Sequence, residues 1–151
     1  MGSGKRAVAG VINLGQGQHS HLFSVRETEL KLAFSAYVAA LVAAHAVAPG
    51  SLTWVIAFFS LAAMLFTYPL AALRQRTFTL ECGISLGLLS MGLAGLVISP
   101  LAIIAAIALH GAWDIAKHRG AGEPFFSWYC IGCAAVDFVY AAALTTYYFA
   151  V

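Results

Sequence analysis

Apolar residues fall into five long runs, at 29–48, 52–73, 77–98, 100–117 and 128–151, with polar or helix-breaking residues between them. Each run approaches the roughly 20 residues that an α-helix needs to cross about 30 Å of hydrocarbon. The pattern predicts an all-α fold, an integral membrane bundle of five transmembrane helices. Pro49-Gly50 breaks the first run from the second. Ser99-Pro100 places a cap and a first-turn proline at the start of the fourth, and Gly120, Gly122 and Pro124 open the connection before the fifth. Residues 1–25 are rich in Gly, Gln and His and read as a flexible or interfacial arm, leaving 26–151 as the transmembrane domain.

Composition strengthens this picture. Of 151 residues, 62% are hydrophobic and 9% charged, too little charge to cover a soluble domain of this size. The lipid bilayer is therefore the first partner to expect. A net charge of +2, carried by few and scattered basic residues, gives no footprint for nucleic acid. The run from Ala7 to Leu14 is short and interrupted by Gly10 and Asn13, unlike a signal peptide. Position 6 is Arg, which breaks a myristoylation signal.

The basic residues also orient the chain. Lys5, Arg6, Arg26 and Lys31 precede or begin the first run, Arg74 and Arg76 lie between the second and third, and Lys117 and Arg119 between the fourth and fifth. With five spans, all eight fall on one side, which the positive-inside rule makes the cytoplasm. The N-terminus is then inside and the C-terminus outside. Aromatic belts agree: Tyr68, Trp128 and Tyr129 at the inner interface, Trp54, Tyr147 and Tyr148 at the outer one.

Packing signals are fewer. Gly83, Gly87, Ser90 and Ala94 form a small-residue face on the third run, suited to close helix packing in the bundle. The Gly83/Gly87 portion also offers a seam for a homo-oligomer. Pro69 frees the carbonyl of Leu65 and predicts a kink in the second run.

Chemistry concentrates in the inner half of the last three runs. His110, Asp114 and His118 are spaced i, i+4, i+8 and share a helix face, with Lys117 beside them. Cys130, Cys133 and Asp137 share a face of the next helix, and Glu81 and Cys82 lie about one turn into the third. At about 1.5 Å per residue, His110 and Asp137 both reach roughly 12–15 Å deep, and Asp114 and Cys133 roughly 6–9 Å. Depth thus pairs His110 with Asp137, and sets Glu81 beside the shallower rung of Asp114 and Cys133. Intramembrane ionisable groups are costly and mark functional sites or polar helix glue. The Cys130/Cys133 pair has three readings: a redox pair, two soft ligands joining His118, His110 or Asp114 around a divalent or soft metal ion, or plain packing. Vitamin K epoxide reductases carry a similar CxxC but need a second cysteine pair, for which only Cys82 remains. His19 and His21 could touch a metal but read first as a tail feature, His45 reads as a single interior or interfacial histidine, and Trp113 and Trp128 flank the polar cluster or, the simpler reading, anchor the interface.

The last third of the chain, with His110-Gly-Ala-Trp113-Asp114-Ile-Ala-Lys-His118, then Pro124, Cys130-Ile-Gly-Cys133 and Asp137, resembles a family of small uncharacterised bacterial multi-pass membrane proteins. In that family's pattern the Asp directly follows the second Cys; here it lies four residues on, one helical turn later. The resemblance implies a bacterial inner membrane and carries no activity with it. Three functional classes follow from the residues: a cytoplasm-facing pocket binding a metal ion or relaying protons, a membrane-embedded enzyme acting on a lipid or isoprenoid through His/Asp acid–base chemistry, and a structural or accessory subunit.

Overall fold

A computed structural model describes residues 27–151. The arm at 1–25 with His19 and His21, and the basic residues Lys5, Arg6 and Arg26, lie outside the described residues. The described chain is helical: α1 (Glu27–Val47), a 3-10 turn (Gly50–Leu52), α2 (Thr53–Leu65), α3 (Thr67–Ala71), α4 (Phe78–Val97), α5 (Leu101–His118) and α6 (Ser127–Ala150).

Local chemistry accounts for the boundaries. Glu27 and Glu29 sit in the first turn of α1, where carboxylates favour the positive end of the helix dipole. Pro49 follows the end of that helix. Ser99 contributes its carbonyl rather than a side-chain cap to the start of α5, accepting the Ala102 N–H at 2.9 Å. Pro69 does more than kink the second run; it accompanies a break between α2 and α3. With no N–H on Pro69, the Leu65 carbonyl lacks its usual helical partner, and the Ser85 hydroxyl of α4 donates to it at 2.9 Å.

Four stretches are long and apolar enough to cross a membrane: Glu27–Val47, Gly50–Ala71, Phe78–Val97 and Ser127–Ala150. The fourth apolar run forms α5 as expected, yet α5 is not among those four, because its second half carries His110, Asp114, Lys117 and His118. It packs between α4 and α6, with α2 alongside. Its most extensive packing is against α6, then α4. Ile103, Ala106 and Ile107 of α5 are buried in the apolar core with Ala57 and Leu61 of α2, Leu88 of α4, and Ala141 and Leu144 of α6. Its buried face carries His110, Asp114 and Lys117, covered by the neighbouring helices.

Close helix approach occurs on a different face of α4 from the one expected. A Cβ on Gly95 would meet the Ile103 backbone nitrogen at 2.7 Å, and one on Gly92 would meet Leu61 at 2.9 Å. Gly83 and Gly87 are exposed, with nothing near an added Cβ. Small residues therefore serve the bundle at Gly92 and Gly95, while the Gly83/Gly87 face points outward.

The two ends of the bundle are distinct. At one, Lys31 lies 5.5 Å from the Trp128 ring centre and Thr77 donates to Glu123. Exposed Arg74, Arg76 and Arg119 occupy the loops of this basic end. At the other, Trp54 packs on Tyr147 and Tyr148, and the Tyr147 hydroxyl donates to the Gly50 carbonyl at 3.2 Å. Two expectations fail here. Tyr68 is no interface aromatic: it is 3% exposed and faces the core. Lys117 is no loop cation but is buried.

Candidate functional site

α5 and α6 supply the centre of the site. His110 and Asp114 are one turn apart on the buried face of α5, and Asp137 projects from the facing surface of α6. Gly111 lets the helices meet there, since a Cβ would come within 3.0 Å of the Asp137 Cβ. His110 Nδ1 lies 2.8 Å from Asp137 Oδ2, the pairing that depth alone suggested, and 3.6 Å from Asp114 Oδ2. All three side chains are buried, both aspartates completely. Among the described residues, these three form a group whose candidate ligand atoms lie within 4.8 Å of one another.

A fourth participant comes from the broken helix. The Tyr68 hydroxyl donates to Asp114 Oδ1, and its oxygen lies 3.6 Å from Cys130 Sγ. The Tyr68 ring stacks on His110 at 6.3 Å between centres. Sequence reasoning gave Tyr68 to the interface. Its neighbour Pro69 was the available signal, because a helix break in a membrane span tends to line a buried polar site.

One turn nearer the basic end lies a second polar layer. Lys117 Nζ lies 2.5 Å from Glu81 Oε1 and donates to the Glu123 carbonyl at 2.6 Å. The Glu123 N–H donates to the same Glu81 oxygen at 2.7 Å, and Trp113 Nε1 to the other at 3.2 Å. Glu81 therefore joins Lys117 rather than the Asp114 rung, and Trp113 flanks the cluster instead of anchoring an interface. Glu123, absent from the sequence-based candidates, completes this layer. Tyr68 links the layers, with Lys117 Nζ 4.1 Å from its ring centre and its hydroxyl on Asp114.

The remaining candidates separate from the centre. His118 is exposed, its Nδ1 2.8 Å from the Ser127 hydroxyl. Cys130 and Cys133 are buried free thiols, and Cys82 is a half-buried one. His45 pairs with Tyr140 through Nε2 at 2.6 Å, toward the opposite end of the bundle. Grooves between α1 and α2 and between α1 and α6 are apolar, and the residues lining them do not include His110.

Hydrogen bonding inside the centre is incomplete. His110 Nε2, Asp114 Oδ2 and Asp137 Oδ1 are buried with no hydrogen-bond partner among the described residues. Such atoms are rare in a folded core; of the four among the described residues, three sit on the residues that converge and the fourth is Trp128 Nε1. Metal ligation needs both carboxylates ionised and the imidazole neutral, a state that would carry −2, while the ammonium of Lys117 is already matched by Glu81. A divalent cation would cancel that charge and use the spare lone pairs.

Comparisons of the chain with protein families, with curated proteins and with solved structures returned no match.

Proposed function

We propose that this is a multi-pass membrane protein that holds a divalent first-row metal ion in its core through His110, Asp114 and Asp137. The observation that carries the reading is the convergence of three buried candidate ligands, each with a polar atom left unpartnered. One imidazole and two carboxylates form a borderline-to-hard donor set, suited to manganese, iron or zinc rather than to the soft ions that thiolates select. Cys130 and Cys133 then pack around the centre instead of ligating. Tyr68 orients Asp114 through the hydroxyl–carboxylate bond. The basic end, where the sequence's Lys and Arg collect, faces the cytoplasm in this reading.

The test is thermal unfolding of chelator-stripped, detergent-purified protein with manganese, iron(II), zinc or magnesium added singly. A ligand that binds only the folded state raises its stability by about 2.7 kcal/mol at one hundred times its dissociation constant. The expected result is a saturable rise in melting temperature with one or more of manganese, iron(II) and zinc, absent in His110→Ala. A wild-type protein indifferent to every cation contradicts the proposal.

A second reading has one observation in its favour. Tyr68–Asp114 and His110–Asp137 are already hydrogen-bonded pairs that meet at the 3.6 Å approach of His110 to Asp114, which is the connectivity of a proton relay. Indifference to metals, with proton uptake into vesicles lost in Asp137→Asn, would favour it.

A further inference from the structure

Between the basic end and the centre lies the layer of Glu81, Lys117 and Glu123. Contacts run from Glu123 and Glu81 to Lys117, from Lys117 to the Tyr68 ring, and from the Tyr68 hydroxyl to Asp114. Each of these groups belongs to a different element: Glu81 to α4, Lys117 to α5, Tyr68 to α3, and Glu123 to the loop between α5 and α6. The loop is fastened by three bonds: Lys117 Nζ to the Glu123 carbonyl at 2.6 Å, the Glu123 N–H to Glu81 at 2.7 Å, and the Thr77 hydroxyl to the Glu123 carboxylate at 2.5 Å. Every bond converges on one residue of the loop.

Loop geometry fits a part that seats and unseats as a unit. Gly120 and Gly122 adopt φ of +97° and +65°, the left-handed region that glycine enters without strain. A Cβ on Gly122 would strike a Glu81 carboxylate oxygen and come within 3.0 Å of the Trp113 ring. The loop backbone thus rests directly on the ion pair. Lys117 is held on three sides, by Glu81, the Glu123 carbonyl and the Tyr68 face, with the Trp113 ring centre 5.8 Å away. An ammonium bound by a carboxylate, a carbonyl and an aromatic face occupies the kind of place a passing cation would use.

We propose that the Lys117–Glu81–Glu123 cluster is a gate between the basic end and the His110/Asp114/Asp137 centre. In the closed state the tethered Lys117 ammonium takes the place of an arriving cation. Opening requires Lys117 to leave Glu81 and the loop to lift from Glu123. A divalent cation outcompetes the ammonium for Glu81 and is passed beneath Tyr68 to Asp114. The proposal rests on the metal-centre reading for its cargo, but the gate itself can be tested without any metal.

Cys130 is the reporter. Its thiol is buried 3.6 Å from the Tyr68 hydroxyl, on the inner side of the gate. In a Cys82→Ala/Cys133→Ala background, the rate of Cys130 modification by 2-aminoethyl methanethiosulfonate measures opening to a small aqueous cation. Lys117→Met alone would leave Glu81 charged and buried, so the paired change Lys117→Met/Glu81→Gln is the informative variant. Thr77→Val, which removes one loop fastening and no charge, is the milder second. Labelling is expected to be slow in the parent and roughly ten-fold faster in the paired variant, the ratio given by about 1.4 kcal/mol lost from the closed state. A smaller rise is expected in Thr77→Val, with helicity retained in both. Equal rates in parent and folded variants overturn the gate. If the paired variant fails to fold, an unchanged rate in Thr77→Val overturns it alone. Failure of the metal reading shows instead as cation-indifferent melting, whatever the labelling rates.

Discussion

At the scale of single residues, Tyr68 contributes through both ends of its side chain. The hydroxyl fixes Asp114, while the ring faces Lys117 and lies over His110. Tyr68→Phe keeps the ring and removes the donor. Loss of such an orienting partner costs about 10–100-fold in metal affinity. The expected outcome is a fall in affinity of at least about ten-fold in a chelator competition titration, with a loss of about 1–3 kcal/mol in the metal-free protein from the unpaired Asp114 oxygen. Ser85 has a purely structural task, closing the Leu65 carbonyl that Pro69 leaves open. Ser85→Ala is expected to lower unfolding stability by about 1–3 kcal/mol, the cost of a buried polar group left unpaired. Denaturant titration in detergent would measure it, and unchanged stability would mean that the carbonyl finds another partner.

At the scale of helices, the two glycine faces of α4 make opposite predictions. Gly95→Ala forces a methyl against Ile103 and is expected to cost about 1–3 kcal/mol of stability. Gly87→Ala meets open space and is expected to raise monomer stability by up to about 1 kcal/mol, since alanine is the better helix former. If a second copy packs there, Gly87→Leu will abolish cross-linking between copies without altering the melt. The helices themselves were readable from the apolar runs, four of which are long and apolar enough for a hydrocarbon crossing. The His110–Asp137 pair was readable too, since equal depth on antiparallel helices brings two side chains level. Depth misled at Glu81. It counts position along the axis but not rotation about it, and α4 turns Glu81 toward Lys117 and the loop instead of Asp114. Tyr68 and Lys117 were hidden for a related reason: each has an amphipathic composition that suits an interface, and tertiary packing decided otherwise.

At the scale of the molecule, the polar helix α5 lies among apolar neighbours, with its titratable half toward the basic end and its apolar half toward the other. This arrangement makes the basic end the natural approach to the centre. If that end is cytoplasmic, a cysteine at Gln75 in a cysteine-free background will be shielded from an impermeant reagent in intact cells, and one at Ser51 labelled; the reverse pattern would invert the orientation. The central claim is the metal centre, and elemental analysis of purified protein tests it most directly. Wild type and Cys130→Ala/Cys133→Ala should both carry close to one equivalent of a first-row divalent metal, and His110→Ala and Asp137→Asn should carry none. Metal absent from wild type, or lost with the cysteines and kept without His110, would contradict the account.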